Sequence, residues 1–216
     1  MFYSQYDQDK YLENNVFKGH KKGVFIDIGA HNGIKLNNTM YFEMEHDWTG
    51  INVEANADVF IDLAKNRPNS TNINCAICNK DGEAKFISNS GYTNMLSGLQ
   101  DHFDPRHQNR LDKENASKGG QTKIVTVKTR RLESVFDEHH ITHVNYLSVD
   151  VEGAEYDVLK SINYDKVFID VIGFENNYED TSAPIIDFLK SNCYVMLKKG
   201  SDIFMIHSKS AFYTKN

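Results

Sequence analysis

Four short stretches carry the residues able to do chemistry. The first is Asp27-Ile28-Gly29-Ala30-His31-Asn32-Gly33, where a carboxylate precedes two glycines spaced four apart. Such glycines let a chain turn sharply and bring backbone N–H groups close to a ligand. The second is Glu54, 21 residues after Gly33, near the spacing of about 20 at which an acidic side chain receives ribose hydroxyls in nucleotide-binding sheets. The third is Asp150 with Glu152, and the fourth is Glu175. These carboxylates could orient a hydroxyl or take its proton. Glu155 follows closely, but an acidic residue at a helix start is also ordinary capping electrostatics.

The turn restricts the cofactor. A dinucleotide fingerprint needs a second glycine where the backbone meets a pyrophosphate, and here that place is held by His31. Asp27 is a poor neighbour for a phosphate and a good one for a cation. A cofactor with an adenosine end, no phosphate and a positive charge fits, and S-adenosylmethionine has all three features. A nicotinamide-dependent oxidoreductase on the same sheet is the rival that His31 opposes. A non-catalytic binding module that keeps the fold is a second rival, which intact Asp27, Glu54 and Asp150 disfavour.

Asp27 to Gly33 resembles the first cofactor motif of class I methyltransferases, specifically the FkbM-type family. Three further stretches carry the same resemblance: Ser4-Gln5-Tyr6-Asp7-Gln8-Asp9-Lys10-Tyr11, Gly50-Ile51-Asn52-Val53-Glu54-Ala55-Asn56, and Ser148-Val149-Asp150-Val151-Glu152-Gly153-Ala154-Glu155 continuing to Lys160. The resemblance implies S-adenosylmethionine-dependent O-methylation, often of sugar or polyketide hydroxyls. It places Asp27, Gly29, Ala30, His31, Asn32, Gly33, Glu54, Ala55 and Asp150 at the cofactor, with Cys75, Ala76 and Ile77 flanking its adenine. Burial of a strand end explains those last three equally well. It also brings Gln5, Tyr6, Gln8 and Asp9 to the wall of the crevice, Tyr6 as an acceptor contact.

Positioning these groups needs strands alternating with helices. Val24-Phe25-Ile26-Asp27-Ile28 is a β-branched apolar run that reads as a buried strand. Strands follow at 49–53, 71–77, 84–88, 123–128, 142–150 and 167–174, with helices at 8–16, 36–46, 59–64, 129–139 and 183–189. Leu36, Met40, Tyr41 and Met44 form the apolar stripe of one of them. The expected fold is α/β: a Rossmann-like, doubly wound, mostly parallel sheet closed by an antiparallel strand pair at 194–197 and 202–207. In such sheets ligands bind beyond the carboxyl ends of the strands, which is where Asp150 and Glu175 fall. The chain reads as a single domain, 1–216, with an N-terminal helical segment at 1–20.

Residues 89–121 break the rhythm, being polar and glycine-rich. A long loop in a compact domain is usually functional or disordered, and this one is expected to form an acceptor lid. Tyr92, Asn94, His102, Arg106 and His107 are its candidate contacts, joined by Asn176 beside Glu175. The candidate catalytic groups are Asp150, Glu152 and Glu175. No H-x-x-x-H or D-x-D spacing falls among these candidate groups to support a metal, and none is expected. The net charge of −6 speaks against a nucleic-acid partner and favours a small-molecule or glycan acceptor. No apolar run approaches the ~18 residues of a membrane span, and the N-terminus is polar. Cys75, Cys78 and Cys193 are too few for a disulfide framework; the C-x-x-C spacing of Cys75 and Cys78 could suggest redox or metal chemistry, but without a second pair they read as buried free thiols in a reducing, cytoplasmic setting.

Overall fold

The computed structural model describes residues 1–214. Seven strands form the main sheet: β1 (Val24–Ile28), β2 (Thr49–Val53), β3 (Thr71–Ile73), β8 (His143–Val149), β9 (Phe168–Glu175), β10 (Tyr194–Lys199) and β11 (Asp202–His207). Their order is β10-β11-β9-β8-β1-β2-β3. All neighbours are parallel except β11, which runs antiparallel to both β9 and β10. The expected parallel core and antiparallel closing pair are both present. Strand order reverses between β1 and β8, which opens a crevice at their carboxyl ends.

Alternation along the strands builds two cores. Ile26 and Ile28 of β1, with Leu147 and Val149 of β8, face α5 (Leu132–Glu138), α6 (Glu155–Lys160) and α7 (Glu179–Ser191). Phe25 and Tyr146 point the other way, against Leu12, Phe17, Phe42 and Trp48. Leu12 ends α1 (Gln8–Leu12), which continues as a π-helical turn, Glu13–Phe17, and Phe42 lies on α2 (Met40–His46). Helix α2 begins later than its apolar stripe suggests, because Asn37 Oδ1 accepts from the backbone N–H groups of Thr39 and Met40. Met44, expected in that stripe, is 58% exposed. Helix α3 (Ala57–Asn66) is capped by Asn56, whose side chain accepts from Asp58 N.

A second sheet of four strands, in the order β4-β7-β5-β6, was not foreseen. It consists of β4 (Ala76–Ile77), β5 (Gly82–Ser90), β6 (Gly98–Leu99) and β7 (Gln121–Arg130). The single strand expected at 71–77 is therefore two strands in different sheets. Residues 91–120 are ordered structure and not a loop: 3-10 turns at Gly91–Leu96 and Gln100–His102 flank β6 and lead to α4 (Pro105–Lys118). Asp104 caps α4 and Pro105 occupies its first turn. His107 and Leu111 are its buried residues; Leu111 packs with Ile87, Leu96 and Phe103. The inner face of the second sheet brings Phe86 and Leu99 against Ala76 and Ala154. Among the described residues, no helix is long and apolar enough to cross a membrane.

Candidate functional site

The turn after β1 is shaped by left-handed backbone at Gly29 (φ 86°), His31 (φ 50°) and Gly33 (φ 78°). The N–H groups of Gly29 and Ala30 donate to Val53 O at 2.9 and 3.0 Å, which fixes the turn to the end of β2. A Cβ on Gly29 would collide with the main-chain oxygen of Asp150, so only glycine fits there. Under the turn lies a buried polar network. Asp27 accepts from Asn37 Nδ2 and Thr39 Oγ1, both at 2.8 Å. Arg67, fully buried, donates to Gly33 O and Asn37 Oδ1 at 3.0 Å and pairs with Glu43 at 2.7 Å. Burial pushes the Asp27 carboxyl up, against the opposing pull of the Arg67 charge.

Above the turn is a cavity of about 830 Å³, its open mouth included. Asp27, Gly29, Ala30 and His31 line it from β1, with Glu54 and Ala55 from β2. Cys75, Ala76 and Ile77 line it at the start of the second sheet, and Asp150 after β8. Asn32 and Gly33, also expected at the cofactor, lie outside this lining. Asn32 Oδ1 instead accepts from the N–H groups of Ile34 and Lys35, and Gly33 packs on Arg67 and Leu63. Glu54 accepts from Asn56 N at 2.7 Å and His31 N at 3.0 Å, while burial pushes its carboxyl up to about 7. His31 has both ring nitrogens buried without a partner among the described residues, and desolvation lowers its pKa.

Asp150, Glu152 and Glu175 each offer a carboxylate oxygen, the three lying within 4.8 Å of one another. Asp150 is open to the cavity and Glu152 is buried. His107 Nδ1 lies 3.2 Å from Glu152, and Asn177 Nδ2 donates to Glu175 at 2.6 Å. All three carboxyls are pushed well above their ordinary range, first by desolvation and then by one another's charge. In donor chemistry this all-oxygen trio would suit a hard divalent cation over zinc. Asp202, absent from the sequence expectation, pairs with Glu175 in the β9–β11 register. It accepts from Gln8 Nε2 at 3.1 Å, and burial raises it to about 6. Its signal was present: a strand antiparallel to one ending in Glu175 starts at the same edge.

A family model described as the Methyltransferase FkbM domain matches residues 27–196. The chain belongs to the FkbM methyltransferase family. Its fold is the Rossmann-like class I methyltransferase fold, and its cofactor is S-adenosylmethionine. The FkbM methyltransferase of Methylobacillus flagellatus KT superposes with TM-score 0.52 at 11% identity, covering 86% of this chain and 44% of that one. A human methyltransferase 10 domain containing protein gives 0.51 at 12% identity, covering 96% and 81%. The METTL16 methyltransferase domain gives 0.51 at 12%, covering 95% and 66%. The FkbM chain thus spans less than half of the first protein. No curated protein matches its sequence significantly.

The FkbM cavity fits its cofactor on its own terms. Among the described residues Lys35 is the one lysine or arginine in its lining, too little for a pyrophosphate cradle. Asn38 also lines it, buried, with its Oδ1 unpartnered among the described residues and its Nδ2 donating to Ser148 Oγ at 3.1 Å. A free buried acceptor beside Asp27 and Asp150 suits a cationic ligand.

The remaining expected contacts divide. Asn94 lines the cofactor cavity. His102 and His107 line a second cavity of about 650 Å³, together with Glu152 and Glu175. Arg106 is exposed and already engaged, to Asp104 and Asp180 at 2.7 and 3.0 Å, with its guanidinium over the Tyr178 ring. Tyr92, 58% exposed, carries Lys118 on its ring and lies outside both linings. Tyr6 is likewise exposed and outside them. Asn176 is turned to Gly200 O at 2.9 Å. Asp9 is fully buried, holding Tyr3 N and Ser4 Oγ, so it knots the N-terminal segment and does not face the crevice. Cys75 and Cys78 are buried and free, as expected, and Cys193 is free and exposed.

Proposed function

We propose that this protein is an O-methyltransferase acting on a hydroxyl of a carbohydrate or glycan. The observation that carries the reading is the place of Asp150: it lines the cofactor cavity and belongs to the carboxylate trio. S-adenosylmethionine, when bound, supplies a methyl group on a sulfonium whose thioether leaves readily. Glu54 would hold the ribose, the backbone of the Gly29 turn and Asn38 the amino-acid end, and Cys75, Ala76 and Ile77 the adenine.

The chain's own work is to align the acceptor oxygen and handle its proton. Asp150 is the group we assign to this, by orienting or deprotonating the hydroxyl, with Glu152 and Glu175 in support. Desolvation and the neighbouring acidic charges raise the Asp150 carboxyl, which strengthens it as a proton acceptor relative to an ordinary carboxylate. The acidic net charge and hydroxyl-friendly carboxylates support a sugar over a nucleic acid. The first experiment is calorimetric titration with S-adenosylhomocysteine, run beside NAD and with or without chelator. Micromolar binding of the former is expected, followed by methyl transfer to sugar acceptors. A folded protein that binds neither S-adenosylhomocysteine nor methyl acceptors would be a non-catalytic module.

A further inference from the structure

Resting on that reading, we infer that the second cavity, between α4 and α7, is the acceptor site and takes an uncharged, hydroxyl-rich ring while turning away phosphate-bearing acceptors. The location follows from the shared wall. Asp150 lines the cofactor cavity, Glu152 and Glu175 line the second, and the three carboxylates converge within 4.8 Å. A donor on one side and a hydroxyl on the other meet at this partition. The volume of about 650 Å³, mouth included, lies within the range of small-molecule sites.

The lining sets the chemistry. Phe103 and Tyr178, the latter with one face under the Arg106 guanidinium, give the lining aromatic surface of the kind that stacks on the apolar face of a sugar ring, and His102 and Asn177 offer polar edges. Five carboxylates line the cavity: Asp101, Asp104, Glu152, Glu155 and Glu175. No lysine or arginine does. The two nearby arginines are matched already, Arg106 by Asp104 and Asp180 and Arg110 by Glu114 at 3.0 Å. Three helix N-termini border the cavity and could in principle attract an anion, yet each holds its own acid. Asp104 accepts from Arg106 N at 2.7 Å, Glu155 from Val151 N and Gly153 N at 3.2 and 3.1 Å, and α7 has Glu179 and Asp180 in its first turn. A phosphate would enter among acidic side chains with no free cation, among the described residues, to receive it, which is unfavourable.

Thr181 provides the test. It is exposed, stands in the first turn of α7, and lines the second cavity and not the first. The full chain and Thr181→Trp are titrated with S-adenosylhomocysteine. Labelled methyl transfer is then measured into uncharged methyl glycosides and oligosaccharides, the same sugars as 1-phosphates or nucleoside-diphosphate conjugates, and an RNA oligonucleotide. Both proteins should bind S-adenosylhomocysteine alike. The wild type should label the uncharged pool faster than either phosphate-bearing pool by about tenfold or more, and Thr181→Trp should lose transfer by about tenfold or more. Equal or faster labelling of phosphate-bearing acceptors overturns the inference. So does unchanged transfer by Thr181→Trp, or cofactor binding with no labelling of any uncharged sugar. Failure of the wild type to bind S-adenosylhomocysteine defeats the methyltransferase reading itself, a separate outcome.

Discussion

Asp150 combines a backbone held by β1, its N–H donating to Ile28 O at 2.9 Å, with a side chain crowded by like charge. Asp150→Asn keeps the shape and hydrogen-bonding reach but removes the basicity. Turnover should fall by about 10²- to 10⁴-fold, the usual worth of a positioned base, while the affinity for S-adenosylhomocysteine stays nearly intact. Stability should hold or rise, because the substitution relieves repulsion with Glu175. Parallel loss of turnover and cofactor binding would instead make Asp150 a structural support. Asp27, Gly29, Glu54 and Asp150 were legible in the sequence because a strand-end turn is a local device, written in consecutive residues. Arg67 and Asn38 were not. Each reaches the site by long-range packing, and nothing in the spacing around Arg67, just before Pro68, says that its side chain turns inward.

At the level of elements, α3 is joined to the cofactor turn by that guanidinium and by Asn66, whose Nδ2 donates to Asn32 O at 2.8 Å. Arg67→Met leaves Glu43 and Asp27 without their buried cation and frees the Gly33 carbonyl. The expected loss is about 3–5 kcal/mol in denaturant unfolding, as for other broken buried pairs, with weaker S-adenosylhomocysteine binding beside it. A loss under about 1 kcal/mol would place the pair with surface ion pairs. The parallel strands and closing pair were readable from apolar runs buried on both faces. The split between β3 and β4 was not, since Asn74, which turns the chain by donating to Glu54 O at 2.8 Å, leaves the alternating pattern unbroken. Helix α4 was missed for a related reason. With few apolar residues to bury, its sequence is almost uniformly polar.

For the molecule as a whole, charge placement sets the response to pH. Folding raises the carboxyls of Asp27, Glu54, Asp150, Glu152, Glu155, Glu175 and Asp202, with Asp202 at about 6 and Glu54 at about 7. A raised carboxyl binds its proton more tightly in the folded state. Its stabilising contribution is complete below the unfolded value, 3.8 or 4.5, and is lost as pH climbs through the folded one. His31, His107 and His207, lowered by burial, act the opposite way below 6.5, but they are fewer. The melting temperature of the ligand-free protein should therefore fall between pH 5 and pH 8, by at least about 2 °C if more than 1 kcal/mol is lost. Scanning calorimetry at fixed ionic strength measures it, and a rise over that interval would contradict the charge map.

The carbonyl of Asp150 fills the space that a side chain on Gly29 would need, so the floor of the cofactor cavity and the residue we propose to act on the acceptor are one rigid joint. An engineer who wants a bulkier cofactor analogue must alter β1 and β8 together. Retargeting the acceptor is a smaller task. The far wall of the second cavity comes from a 3-10 turn, α4 and α7, and grafting residues 100–118 from another sequence would exchange much of it while leaving Asn94, Met95, Ser97 and Leu99 of the cofactor cavity in place.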